Sequence, residues 1–153
     1  MLNTTESEII LCDFKNMIYD NLINSDLNFI SIVGYPATGK STLMKEVFKN
    51  LKSSRIKCYF FDFDRRGDNT HAINDIDLNS EIYQNSVIFI DEGEYARDFI
   101  VNNVSSLRKH NILFLVSSMV NSTFYGGGEL SINRGKYNLS SYIDITYQMP
   151  SRT

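Results

Sequence analysis

At 153 residues the chain has the size of one ordinary domain, long enough to bury a core and too short for two. With 42% hydrophobic and 12% aromatic residues it falls among folded globules, and no apolar run approaches the roughly 18 residues of a membrane-spanning helix, so no membrane partner is expected. A formal net charge of −3 provides no general basic field, and a polyanionic partner would need a local patch.

The first residues, Met1-Leu2-Asn3-Thr4-Thr5-Glu6, lack the basic start and apolar block of a secretory signal, so a cytoplasmic location is expected. Thr5 and Glu8 form a capping-box pattern, and Ile10, Phe14, Met17, Ile18 and Leu22 follow as an apolar stripe. They predict an amphipathic helix that covers a face or edge of a sheet, the alternative being a surface for a partner. Leu27 to Val33, β-branched and aromatic, reads as the first strand. It runs directly into Gly34-Tyr35-Pro36-Ala37-Thr38-Gly39-Lys40-Ser41-Thr42, which fills every fixed position of the pattern G-x-x-x-x-G-K-[ST]. Met44, Val47, Phe48 and Leu51 then recur at helical spacing, predicting a helix from about Ser41 to Leu51. Strand, loop and helix in that order are the setting in which the pattern is a phosphate-binding loop and not a chance glycine turn.

Ile56 to Asp64 reads as the second strand and ends in acids, and the polar stretch from Arg65 to Asn85 is a connection with only a thin helical pattern. Val87-Ile88-Phe89-Ile90, closed by Asp91-Glu92, is the third strand. Tyr95, Phe99, Ile100, Val104 and Leu107 predict a helix that ends at Arg108-Lys109-His110, where basic residues suit the negative end of the dipole. Ile112 to Val116, ended by Ser117-Ser118, is the fourth strand. A glycine-rich polar segment follows from Asn121 to Ser140, and Tyr142 to Met149 alternates as a last strand. Short apolar runs alternating with helices predict a mostly parallel, three-layer α/β sheet. A single domain over 1–153 is expected, with a covering helix in residues 1–25 and a nucleotide-binding core in 26–150.

The chemistry follows from the residue types. Gly34 and Gly39 allow the close backbone approach by which the amides of Gly34 to Thr42 wrap a phosphate. Lys40 reaches the β and γ phosphates, and Ser41 offers a hydroxyl to Mg²⁺ at the positive end of the following helix. Asp91, delivered beside the phosphates by a buried strand, fits the second metal-site motif of nucleotide-binding loops and would hold the same Mg²⁺ through water. Glu92 is a candidate to polarise the attacking water, or with Glu94 it stabilises the start of the next helix. The implied ligands are ATP and Mg²⁺. Cys12 and Cys58 have neither C-x-x-C spacing nor nearby histidines, which predicts that both are reduced core residues. His71 and His110 stand alone and read as structural.

The phosphate loop, the Asp91-Glu92 pair and the later strand ending in Ser117-Ser118 together resemble the P-loop NTPases of the additional-strand, catalytic-glutamate division. That division includes the RecA-like and FtsK/HerA-like motors, and the resemblance spans Leu27 to Met149. It implies a five-stranded sheet of order 5-1-4-3-2, with the strand after the acidic pair lying between the first and third strands. It also implies that the polar end of that strand senses the γ phosphate, and that the domain hydrolyses ATP as part of a homo-oligomer or larger assembly. Cys58-Tyr59-Phe60-Phe61-Asp62-Phe63-Asp64 looks like the RecA second strand, which would make Asp64 a catalytic carboxylate, with Asp where RecA proteins have Glu. Asn121-Ser122-Thr123 and Gly126-Gly127-Gly128 before Tyr142 to Ile145 look like the RecA region that holds a mobile DNA-binding loop. Asp91-Glu92 with Arg108-Lys109-His110-Asn111 looks more like the FtsK/HerA motors, which usually have Gln where this chain has Ser117-Ser118.

Nucleic acid is accordingly an expected partner through 121–140, where Arg134 and Lys136 have three readings. They touch DNA phosphates, or one of them (or Arg152) enters a neighbouring subunit's site as an arginine finger, or they are solvated loop charges. Arg65 and Arg66 read as neutralising Asp62, Asp64 and Asp68. Two rival functions fit the loop: a small-molecule or nucleotide kinase, whose arginine-bearing lid has only Arg134 to draw on, and a non-enzymatic, nucleotide-dependent assembly module.

Overall fold

The computed structural model describes residues 12–20, 27–34, 39–62, 76–119 and 142–149. Helix α1 covers 12–20. Strand β1 (Phe29–Gly34), helix α2 (Lys40–Ser53), strands β2 (Cys58–Asp62) and β3 (Val87–Asp91), helix α3 (Arg97–Asn103), and strands β4 (Leu113–Met119) and β5 (Ile145–Gln148) follow. The sheet has the order β2-β3-β4-β1-β5, and every adjacent pair is parallel. This is the three-layer α/β P-loop NTPase architecture, with β4 inserted between β1 and β3 as expected.

Alternate residues of the strands face opposite layers, and both layers are apolar. Ile30 and Ile32 of β1, Phe89 of β3 and Leu115 of β4 pack with Leu43, Met44, Val47 and Leu51 of α2 on one side. Phe29, Ile88, Ile90, Phe114 and Val116 pack with Phe99, Ile100, Val104 and Leu107 on the other. Each such side chain contributes roughly 1.5–3 kcal/mol by leaving water. Two-sided burial is why the central strands read as unbroken apolar runs and not as alternation.

Helix α1 covers the α2 layer. Ile18 is fully buried there, Phe14 meets Tyr147 edge-on at 5.2 Å, and Tyr19 shares a hydrogen bond of 3.0 Å with Ser54. Met17, predicted as part of the stripe, is 51% exposed. Thr5, Glu8, Ile10 and Leu22 lie outside the described residues.

The single helix expected after β3 is instead three short pieces. A 3₁₀ turn at Gly93–Ala96 leads into α3, and a second covers Val104–Ser106. Val101, Asn102, Asn103, Val104, Ser105 and Ser106 are all weak helix formers, and the Asn103 side chain turns back to donate to the Phe99 carbonyl at 2.8 Å in the last turn of α3. Arg108, Lys109 and His110 therefore sit in the turn before β4 and not at a helix end. Strand β4 also runs further than expected, through Ser117 and Ser118 to Met119.

Candidate nucleotide-binding site

Because the sheet is parallel, the carboxyl ends of all five strands lie at one end, where ligands of such folds bind. Gly34 ends β1 there, and α2 begins at Lys40 after the loop, of which Tyr35, Pro36, Ala37 and Thr38 lie outside the described residues. Gly39 has φ 91° and ψ 15°, a left-handed conformation that glycine adopts without a Cβ clash, and its carbonyl accepts the first bond of α2 from Leu43 N–H at 2.9 Å. Among the described residues no side chain caps α2 and no acid stands in its first turn, so the positive end of this 14-residue helix is left for an anion. The Lys40 ammonium donates to the Gly34 carbonyl at 2.8 Å. Thr42 is exposed in the first turn of α2.

Asp91 is the last residue of β3 and is 3% exposed. Its two oxygens are used differently. Oδ2 accepts from the Ser41 hydroxyl at 2.7 Å, joining the helix to the sheet across 50 residues of sequence. Oδ1 accepts from the Ser117 hydroxyl of β4 and from the Glu92 amide at 3.1 Å. That same amide also reaches the Ser117 oxygen at 3.1 Å. Glu92 has φ 58°, a left-handed conformation costing a residue with a side chain about 1–2 kcal/mol, and the two acceptors on its amide help to hold it there.

The donors gathered here suit Mg²⁺. A serine hydroxyl and a carboxylate within hydrogen-bond reach of each other are hard oxygen ligands, and Mg²⁺ takes only one or two of these from a protein, completing its shell with phosphate oxygens and water. Among the described residues no group of three or more His, Cys, Asp or Glu side chains could hold a metal ion.

Of the residues singled out in the sequence, Gly34, Gly39, Lys40, Ser41 and Asp91 converge, with Glu92 directly beside them. Asp64 lies outside the described residues, as do Arg134, Lys136 and Arg152. The residue of β2 in register with Asp91 is Asp62. The contact of Ser117 with Asp91 was not legible from sequence, since it depends on the register that sets Ile90 of β3 against Val116 of β4, which the implied strand order leaves open. Elsewhere, a groove of about 230 Å³ between Asn28, Leu107, Arg108, Tyr142 and Asp144 lies at the opposite, amino end of the strands.

The fold is that of a P-loop NTPase. Residues 26–125 match the AAA domain family, and the chain belongs to it. AMPPCP-bound DnaA from Aquifex aeolicus is similar in structure, with a TM-score of 0.63 at 14% identity over 88% of this chain and 44% of that one. ORC1 of Aeropyrum pernix in complex with DNA gives 0.55 at 13% identity over 100% and 47%. PCH-2 of C. elegans gives 0.52 at 15% identity over 94% and 43%. These likenesses bear on the fold, and the chain spans less than half of each of these proteins. No curated protein shows significant sequence similarity to it. Among the described residues no helix is long and apolar enough to cross a membrane. The family found is the AAA domain, a coarser result than the RecA-like or FtsK/HerA-like assignment to which the motifs pointed.

Proposed function

We propose that the chain is an ATP-binding, Mg²⁺-dependent ATP-hydrolysing domain of an oligomeric assembly that acts on nucleic acid. The observation that carries this reading is the hydrogen bond from Ser41 to Asp91, which unites the two halves of a nucleotide site from distant parts of the sequence. The amides of Gly34 to Thr42 and the Lys40 ammonium balance the charge of the triphosphate. Ser41 and Asp91 hold Mg²⁺, which when bound neutralises charge on the phosphate oxygens. Glu92 orients and deprotonates the attacking water, with Asp64 as the alternative base.

Calorimetry with Mg-ATP and a phosphate-release assay test the chemistry. Lys40→Ala is expected to abolish binding and turnover. Glu92→Gln is expected to retain binding but hold ATP unhydrolysed, and undiminished turnover in that variant would move the base role to Asp64 or elsewhere. Absence of Mg-ATP affinity in the folded protein would remove the whole reading.

The nucleic-acid element draws on Arg134 and Lys136 in 121–140 and on the likeness to ORC1 solved with DNA. Phosphate release measured with and without single- and double-stranded DNA, together with mass in solution with ATP, tests it. Stimulation by DNA in an oligomer is the expected result. Turnover that requires a hydroxyl or nucleotide acceptor would indicate a kinase, and ATP-dependent association without phosphate release would indicate an assembly module.

A further inference from the structure

Ser117 holds a position that neither the phosphate loop nor the acidic pair accounts for. It is completely buried in β4, one residue beyond the Ile90–Val116 pair that joins β3 to β4. A serine hydroxyl has one proton to give and lone pairs to receive with. Here the proton goes to Asp91 Oδ1, and a lone pair receives the Glu92 amide at 3.1 Å. One side chain thus touches both residues of the acidic pair.

We infer that Ser117 is a positioning residue that fixes the orientation of the Asp91 carboxylate and the Glu92 backbone, and that it acts through them and not on the phosphate. The inference rests on the reading of Ser41 and Asp91 as the Mg²⁺ ligands. The terminal torsion of an aspartate is soft, so a carboxylate anchored at neither oxygen samples a broad range of rotations. With Oδ1 held by Ser117 and the Glu92 amide, Oδ2 is the oxygen left facing Ser41. Ser41 and Asp91 Oδ2 are the groups that would hold Mg²⁺, and the Ser117 bond to the far oxygen would keep the carboxylate turned toward it. Ser117 therefore prepares the metal site before the metal is there.

The test is titration of ATP binding against Mg²⁺ in the wild type, Ser117→Ala and Ser117→Thr, with thermal unfolding of each protein free of nucleotide. Ser117→Ala is expected to need about tenfold more Mg²⁺ for half-maximal tightening of ATP, the size of one lost hydrogen bond to a charged group. Its affinity for ATP in EDTA, which depends on Lys40 and the loop, is expected to match the wild type. Ser117→Thr, which keeps the hydroxyl, is expected to restore the Mg²⁺ requirement. If the threonine methyl prevents folding, Ser117→Cys replaces it, and its weaker donor is expected to give an intermediate requirement. A folded Ser117→Ala protein with the wild-type Mg²⁺ requirement overturns the inference while leaving the site assignment intact. A wild type whose ATP affinity ignores Mg²⁺ overturns the site assignment itself.

Discussion

Two cysteines with the same chemistry behave differently because of where the fold puts them. Cys12, expected in the core, is instead exposed on α1, because it falls off the apolar stripe that Ile18 buries, whereas Cys58 is buried at the start of β2. Burial pushes the Cys58 thiol above its ordinary range, with Lys52 pulling weakly the other way. The thiolate is the reactive form, so a thiol reagent under native conditions is expected to label one equivalent rapidly at Cys12 and to reach Cys58 only on unfolding. Burial likewise raises the Tyr147 hydroxyl. Both groups favour their neutral forms more when folded than when unfolded. Their stabilising effect is complete below the unfolded-state pKa values, about 8.5 for Cys and about 10 for Tyr, and is lost as pH rises through the folded-state values. Denaturant titrations are expected to show stability falling on the alkaline side, with a shallower fall in Cys58→Ala; an unchanged slope in that variant would remove Cys58 from the account.

Among the elements, α1 shows which contacts decide docking. Lys15 and Glu46 approach to 3.6 Å, but both are partly exposed and their attraction is screened by water. Ile18 is fully buried among residues of α2 and the sheet. Ile18→Ala is expected to cost about 2–5 kcal/mol and Lys15→Ala less than about 1 kcal/mol in urea unfolding. The reverse order would mean that charge and not packing attaches the helix. The segment after β3 teaches the complementary lesson. Its apolar spacing correctly identified Phe99, Ile100, Val104 and Leu107 as core. The same spacing could not show that α3 ends at Asn103, because periodicity records which residues face the core and says little about whether i→i−4 bonding continues between them.

For the molecule as a whole, the site is assembled from α2 and the ends of β1, β3 and β4, so a ligand held there stabilises all of these at once. A ligand bound only by the folded state adds about 2.7 kcal/mol at a concentration 100 times its Kd. Saturating Mg-ATP is therefore expected to raise the Tm by several degrees, and Lys40→Ala is expected to abolish the increase. An equal increase in that variant would mean that nucleotide binds elsewhere.

The sequence by itself determined the phosphate loop, the identity of Asp91 as a strand-end carboxylate and the apolar content of both layers. Each of these is a local property, set by the backbone freedom of glycine, by a fixed motif or by the period with which side chains face a core. Only the tertiary structure decided that Asp62 stands level with Asp91, and that Ser117 reaches across to it. Those relations depend on the register in which neighbouring parallel strands lie, which is set by the packing of the layers between long crossovers and which no local pattern encodes, even where a resemblance implies the strand order.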